Sequence, residues 1–397
     1  MQDAMKLTVP GDFVREPIPD QPGASVLSLV VDGEQVSRTG IVPYTLRIGS
    51  ATVRMDGIGG VATPEAHRNK GYSRRALAEA VEQMTAGDAV LTSLYGIPDY
   101  YPRWGYATAA HEGIIRLDRL DRDAVIPEGL AVRAATREDL LRIRTIYADA
   151  TRTLVGPAVR ADDGLVWSEL AKAIAEWRDE CRVIVDETDE VLAYAWMASF
   201  IWWMKKVVRN DPEALHIGEA FAETPRAADA LLAAIRQWTS ELGKPHAEIH
   251  QPPVGAFGMA ARLQDTAIVT ITFRDMQFMA RSTGTAALLA AVAGELRARW
   301  LDARLGWSGT LRIVADGEAV EIVLSPDGLD VVSGTALPAE SDAIAVEVTP
   351  GDLARLVLGT FPPRDLLDRI GVSGDAAAVL AVVFPERQPY LWPADRF

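Results

Sequence analysis

The densest run of residues able to do chemistry lies between Gly57 and Met84. Gly57-Ile58-Gly59-Gly60-Val61-Ala62-Thr63 reads as a strand. A turn at Pro64-Glu65-Ala66-His67 and the segment Arg68-Asn69-Lys70-Gly71-Tyr72-Ser73 then lead into a helix. Ala76, Leu77, Ala80, Val81 and Met84 share one face of that helix at helical spacing. A strand, a glycine-bearing turn and a helix start gather several backbone N–H groups at one point, which makes an anion site. His67, Arg68, Lys70, Arg74 and Arg75 surround the turn, with Glu65 its one acid, in a chain whose net charge is -15. That concentration of positive charge suits a compact polyanion. A second cluster follows the strand-like Val90-Leu91-Thr92-Ser93: the aromatic run Tyr100-Tyr101-Pro102-Arg103-Trp104-Gly105-Tyr106. A phenol, with a reference pKa of ~10, stays protonated at neutral pH and can act as a general acid.

Both clusters must be positioned by ordinary elements. At 397 residues the chain suits two or three domains, and 49% hydrophobic with 24% charged residues describes a soluble globular protein with substantial cores. A pI of about 4.9 argues against nucleic-acid or anionic-membrane binding and favours cationic partners. One cysteine, Cys181, excludes internal disulfides and a cysteine-built metal site, and its setting before a strand suggests a structural thiol. His67, His111, His216, His246 and His250 are dispersed; only His246 and His250 share a ligand-like spacing, and the strand-like residues between them argue against a metal. The start Met1-Gln2-Asp3-Ala4-Met5-Lys6 lacks the features of a signal peptide, and the longest apolar tract, Val191 to Met204, is too short to span a bilayer, so a cytoplasmic protein is expected. That tract, with Phe200-Ile201-Trp202-Trp203-Met204, reads as a buried strand ending near a pocket or interface.

Arg68, Gly71 and Ser73 fall on the diagnostic positions of the pattern Q/R-x-x-G-x-G/A, so this segment resembles the cofactor loop of the GNAT superfamily of acetyl-CoA-dependent N-acetyltransferases. Ser73 stands where that pattern has Gly or Ala. The aromatic run resembles the aromatic-Tyr-x-x-x-Gly-Phe/Tyr segment of the same enzymes. The resemblance implies acetyl-CoA as co-substrate, with loop amides on its pyrophosphate and amides around Val61 and Thr63 polarising the thioester carbonyl. It assigns cofactor binding to Val61, Ala62, Thr63, Arg68, Asn69 and Lys70, and to Gly71, Tyr72, Ser73, Arg74, Ser93 and Leu94. Tyr101 matches the tyrosine that protonates the departing thiolate.

Along the chain, strands are expected at Val26 to Val31, Gly40 to Leu46 and Gly57 to Thr63, with a further strand at Gly113-Ile114-Ile115-Arg116-Leu117 closing the first domain. Pro10, Pro17, Pro19 and Pro22 forbid the long helices that open a GNAT fold. After the charged join from Asp118 to Pro127, Leu130 begins a second cycle: a strand, a helix capped by Thr136 and Asp139, a helix near Trp167 to Trp177, a hairpin from Arg182 to Phe200, strand-like His216 to Ala222 and a helix from Pro225 to Leu242. Glu223-Thr224-Pro225-Arg226-Ala227-Ala228 lacks glycine, so this GNAT-like unit is expected to have lost cofactor binding. From Gly284, one helix, four short strands and a helix capped at Thr349-Pro350 look like a sterol-carrier-like fold.

The expected fold class is therefore α/β (α+β): a catalytic GNAT domain over 1–127, a degenerate GNAT-like domain over 128–283 and a sterol-carrier-like domain over 284–397. That order resembles the Eis-type (enhanced intracellular survival) acetyltransferases. The resemblance implies a terminal carboxylate, here that of Phe397, as general base; an aminoglycoside or polyamine-like amine as acceptor; and a homohexamer, with no nucleic-acid or membrane partner. Pro389-Tyr390-Leu391-Trp392-Pro393-Ala394-Asp395-Arg396-Phe397 is unusually apolar and stiff for a chain end. A protein-lysine acetyltransferase and a non-catalytic acyl-CoA sensor or lipid carrier are the alternatives.

Overall fold

The computed structural model describes residues 10–19, 21–118, 124–176, 179–264, 266–272, 275–333, 343–365 and 375–397. They form a mixed α/β protein in two compact units, one drawn from residues 1–110 and 274–389 with Phe397, the other from 111–273 with 390–396. No helix among the described residues is long and apolar enough to cross a membrane. Numbered along the chain, the strands are β1 Asp12–Pro17, β2 Ser25–Val31, β3 Glu34–Ile48, β4 Ala51–Ala62, β5 Leu91–Gly96, β6 Ala107–Thr108, β7 Glu112–Leu117, β8 Leu130–Ala134, β9 Val155–Ala158 and β10 Cys181–Asp186. They continue as β11 Val191–Trp196, β12 Ala214–Ile217, β13 Glu219–Ala222, β14 His246–Ile249, β15 Ala267–Ile271, β16 Gln277–Ser282, β17 Gly309–Ala315, β18 Glu318–Ser325, β19 Gly328–Ser333 and β20 Ile344–Val348.

In the first unit a sheet runs β1-β2-β3-β4-β5-β16-β6. Its pairs are antiparallel except β4 with β5. A parallel pair needs a crossover, which the helix Tyr72–Thr85 supplies. That helix buries the apolar face read from its spacing against Leu27, Ile41, Ile58, Leu94, Trp104, Tyr106 and Met279. No helix precedes β1 among the described residues, in keeping with the prolines there. The helix Thr285–Ala303 holds the β3–β4 turn through Glu295, whose Oε2 accepts from the Ser50 amide at 2.8 Å and Ser50 Oγ at 2.7 Å. A second sheet, β19-β18-β17-β20, precedes the helix Pro350–Leu358, whose first turn Thr349 caps by accepting from the Asp352 amide at 3.1 Å.

The second unit contains the sheets β13-β11-β10-β8 and β12-β14-β7-β15. The helix Pro225–Glu241 is buried along most of its length between apolar residues of both. Thr136 and Asp139 form the expected capping box before the helix Leu140–Thr151. Cys181 opens β10 fully buried, and burial raises its thiol pKa well above the ordinary value, so it is a structural thiol.

Three expectations are corrected. The strand at Gly113–Leu117 does not close the first sheet: as β7 it pairs with β14 and β15, and β16 takes the place beside β5. Alternation specifies a strand but not its neighbour. His216 to Ala222 is two strands in different sheets, broken at Gly218, where a Cβ would lie 2.8 Å from that of Ala198. The tract through Phe200–Met204 is not one strand: β11 stops at Trp196, Ala198 turns the chain at φ 53°, and Trp202–Asn210 is a helix. Trp203 and Met204 are buried while Trp202, Lys205 and Lys206 are exposed, a pattern of 3.6 rather than 2. The helix expected near Trp167 to Trp177 is Leu165–Glu176; Trp177 and 119–123 of the charged join lie outside the described residues.

Arg160 lies at the centre of the second unit. It donates to both oxygens of Glu219 at 3.1 and 2.6 Å and to both of Asp395 at 2.8 and 2.9 Å. It also stacks 3.8 Å from the Tyr147 ring centroid and 4.8 Å from that of Trp167. The three charged side chains are 3%, 0% and 1% exposed, so removing the cation strands two buried carboxylates. Arg160→Met is expected to destabilise this unit by roughly 3–5 kcal/mol, read as a fall in the urea midpoint, with partial recovery when Asp395→Asn is added. A loss below about 1 kcal/mol would mean water reaches the cluster freely.

Candidate active site

The parallel register of β4 and β5 runs from Met55 opposite Leu91 to Ile58 opposite Leu94 and stops there. β4 continues to Ala62, but its pairing with β3 changes: Gly40 faces Gly59 and Arg38 faces Ala62, so Gly60 and Val61 stand opposite Thr39 alone. This is a β-bulge, and Gly60 adopts φ 58°, the left-handed conformation a glycine enters without a Cβ penalty. Beyond Ile58, β4 is no longer paired with β5, and the edge of β4 from Gly59 to Ala62 that would face it is left for another partner.

The turn after β4 leads to the helix Tyr72–Thr85. Asn69 at φ 63° and Gly71 at φ 82° reverse the chain, and Gly71 is the N-cap residue, with no side-chain cap and no acid in the first turn. The amides of the first turn lack intrahelical partners by geometry. Arg68, Lys70 and Arg74 are exposed around them, and Tyr72 and Ser73 are half-buried. Arg68 Nε donates to the Thr63 carbonyl at 3.4 Å and Ser37 Oγ meets Thr63 Oγ1 at 3.0 Å, which anchors the turn to the end of β4. Two of the five basic side chains are engaged elsewhere: Arg75 donates to the Gly11 carbonyl at 2.7 Å and lies over Phe13, and His67 bonds Glu34 at 2.9 Å.

At the end of β5, Tyr101–Trp104 forms a short 3-10 turn closed by Gly105 at φ 81°. Gly96 makes room for Tyr101, since a Cβ there would lie 2.3 Å from its ring. Tyr101 is flanked by Tyr100 and Trp104 at ring separations of 5.1 and 6.2 Å. Burial, and secondarily Tyr100, raise its pKa, which keeps the phenol a proton donor. Ser73 Oγ lies 3.4 Å from Tyr100 Oη, so the aromatic turn and the helix start meet. Tyr106 differs: it is fully buried, Thr92 Oγ1 donates to its oxygen at 2.9 Å, and burial pushes its pKa up to about 12.

Phe397 occupies the sheet face opposite that helix. Cβ atoms at Gly57 and Gly59 would lie 2.5 Å from its ring and 3.4 Å from its α-carboxylate carbon. Tyr44 and Tyr95 flank the ring at 5.1 and 6.0 Å. Ser93 Oγ, opposite Gly57 in the register, is buried with no hydrogen-bond partner. Leu94 buries its side chain in the core with the helix and can offer only backbone to a ligand. The structure thus brings the bulged end of β4, the turn, the aromatic run and Phe397 to one part of the first unit. The roles of Gly57, Gly59 and Gly96 as cleared space, and the aromatic walls Tyr44 and Tyr95, are additions to the residues read from sequence. Gly57-x-Gly59-Gly60 inside a strand was the available signal, since such glycines mark a bulge or a close approach.

Residues 13–109 match the family described as acetyltransferase (GNAT) domain. The chain therefore carries an acetyltransferase (GNAT) domain over these residues. No curated protein matches the sequence. Among solved structures the chain is similar to a GCN5-related N-acetyltransferase from Kribbella flavida, at 19% identity over 94% of this chain and 87% of that one, TM-score 0.67. It is also similar to a conserved protein of unknown function from Enterococcus faecalis V583, at 15% over 96% and 93%, TM-score 0.70. Eis1 from Mycobacterium abscessus matches at 17% over 96% and 93%, TM-score 0.61. At these identities the likeness is one of fold.

The Tyr106 environment gives a pH test. Its phenol ionises near 10 when unfolded and about 12 when folded, so the native state holds the proton longer. Its contribution to stability is complete below pH 10 and is lost as pH rises towards 12, by at most roughly 2–3 kcal/mol. Denaturant titrations at pH 9 to 12 should show a shallower decline for Tyr106→Phe than for the wild type; equal slopes would place the phenol in water.

Proposed function

We propose that this chain transfers the acetyl group of acetyl-CoA directly to a primary amine of a small cationic molecule, of aminoglycoside or polyamine type. The observation that carries the reading is the parting of β4 from β5 beyond Ile58 beside an uncapped helix N-terminus. The orphaned Ser93 hydroxyl and the exposed Arg68, Lys70 and Arg74 support a site for the pyrophosphate of coenzyme A, while Gly57 and Gly59 make the room that Phe397 fills. Acetyl-CoA supplies the activated acetyl group. The amides of Asn69 to Ser73 hold the phosphates, with Arg68, Lys70 and Arg74 neutralising them, while Ser93 and the backbone of Leu94 bound the same channel. The released edge at Val61, Ala62 and Thr63 offers N–H groups to a carbonyl oxygen on which negative charge develops. The Phe397 carboxylate, beside Gly59, accepts the amine's proton directly or through water, and Tyr101 Oη delivers a proton to the leaving sulfur. Cys181 is buried and takes no part.

The acidic chain, with its net charge of -15, favours a cationic acceptor over a nucleic acid. Eis1 is among the structures of similar fold, and the Eis-type reading rests on the three-part order: GNAT over 1–127, a GNAT-like unit without a glycine turn over 128–283 and a sterol-carrier-like unit over 284–397. A hexameric assembly and a cytoplasmic location belong to the same proposal.

Calorimetry should find one acetyl-CoA site per chain. Gly71→Glu should abolish or greatly weaken it, because a side chain at φ 82° is strained and a carboxylate repels the phosphates. Two equal sites, or undiminished binding by Gly71→Glu, would sink the assignment.

Tyr101→Phe should lower kcat while sparing acetyl-CoA affinity, because a leaving-group acid acts in the transition state. Extending the chain beyond Phe397 by a short flexible peptide should cost ~100- to 10,000-fold in rate with the fold intact, whereas Phe397→Ala with a free end should retain more. Full activity of the extended chain would refute the carboxylate as base.

A further inference from the structure

Histidines that are far apart in sequence meet in the second unit. β12 and β14 pair in parallel with His216 opposite Glu248, and His250 follows β14 by one residue. His216 Nδ1 is 3.0 Å from His250 Nε2 and 3.7 Å from Glu248 Oε2, while His250 Nε2 is 4.0 Å from the same oxygen. Within one segment, spacing singles out only His246 and His250; the parallel pairing brings His216 to His250 instead.

The hydrogen bonds fix one tautomer. His216 Nε2 lies 2.7 Å from the Asp211 carbonyl, so that nitrogen carries the proton and Nδ1 presents a lone pair. A backbone carbonyl holding the remote ring nitrogen is the arrangement that orients a metal-ligating imidazole. Without an ion, the N–H of His250 Nε2 can satisfy His216 Nδ1, which leaves Glu248 Oε2 within 4.0 Å of both ring nitrogens with no proton of theirs directed to it. Two donors each about 2.1 Å from one ion are about 3.0 Å apart at a right angle and about 3.4 Å apart at the tetrahedral angle. The three atoms here span 3.0 to 4.0 Å, a set that a small movement of the carboxylate closes onto one centre. His216 and His250 side chains are 1% and 4% exposed, and Glu248 is 15% exposed, which leaves an approach from its side.

We propose that His216, Glu248 and His250 form a binding site for a divalent transition metal of the zinc type, one that ties the edge strand β12 to β14. Two imidazole nitrogens and one carboxylate oxygen suit zinc, with the fourth position open to water. Glu248 Oε1, 3.6 Å from Arg116 Nη1, gives the carboxylate a second anchor. A competing set, Asp211, His246 and Glu248, shares that carboxylate, with Asp211 Oδ2 3.2 Å from His246 Nε2, but these groups are less buried.

The test uses untagged, chelator-treated full-length protein and the metal alone. Titration calorimetry with zinc should show one equivalent per chain, and cobalt(II) in its place should give visible d–d absorption of a four- or five-coordinate ion. Glu248→Gln, at the most exposed of the three positions, should weaken binding at least about tenfold and alter the cobalt spectrum while circular dichroism stays unchanged. Asp211→Asn keeps the main-chain carbonyl and should leave both readouts as they are. His250→Ala should abolish binding; if that variant does not fold, the wild type, Glu248→Gln and Asp211→Asn still decide. No stoichiometric binding by the wild type, a cobalt spectrum indifferent to Glu248→Gln, or loss of binding through Asp211→Asn would overturn the assignment.

Discussion

The first unit is organised by a failure of pairing. Two parallel strands that hydrogen-bond from Met55 and Leu91 as far as Ile58 and Leu94 part company because Gly60 inserts an extra residue into β4. The parted edge is half-buried to exposed from Gly59 to Ala62, so its amides and carbonyls can be met by water or by a ligand. The neighbouring features suit this. Helix Tyr72–Thr85 begins without a cap, Gly57 and Gly59 strip one face of β4, and Gly96 lets Tyr101 lie against the end of β5. Each local irregularity would be a defect in a regular sheet; together they bring unpaired backbone and the aromatic rings of Tyr101 and Phe397 to the end of β4.

The elements carrying these features were legible because they depend on local rules. The glycine-bearing turn, the apolar face from Ala76 to Met84 and the Tyr100–Tyr106 run are short-range patterns, and the structure realises each at its expected place. What stayed hidden depends on partners distant in sequence. β7 has a strand's composition whichever sheet it joins, and nothing in Gly113–Leu117 distinguishes β14 from β5. The Phe200–Met204 stretch is apolar enough for a strand; only the exposure of Trp202 beside buried Trp203 and Met204 reveals a helix face. The closeness of His216 to His250 follows from a parallel register that neither segment encodes. The additional rings around Phe397, Tyr44 and Tyr95, likewise come from two strands with no sequence mark of proximity.

Electrostatics divides the two units differently. Near the turn of the first unit, Arg68, Lys70 and Arg74 stand exposed, where a charge keeps its hydration until a ligand replaces it. In the second unit, Arg160 is enclosed by two carboxylates and two aromatic rings, and Tyr194 Oη donates to Glu219 at 2.9 Å as well. Nearly every donor of that guanidinium is used, which is the condition under which a buried charge is tolerable. Even so, burial outweighs the arginine at Asp395 and raises its carboxyl pKa above the ordinary value.

That enclosure has a consequence for the order in which the polypeptide matures. The second unit draws its body from 111–273, but Asp395 arrives with residues 390–396. On a ribosome adding about 5–20 residues per second, the body emerges on the order of ten seconds before the piece that completes it. During that interval Arg160 has Glu219 but lacks its second carboxylate, the His250 carbonyl lacks the Tyr390 hydroxyl, and Phe221 lacks the Trp392 ring. The intervening 274–389 segment is not an idle spacer, since it builds the other unit meanwhile. Synthesis therefore imposes a sequence of events on this protein: a nascent chain must carry one unfinished interior through the making of another.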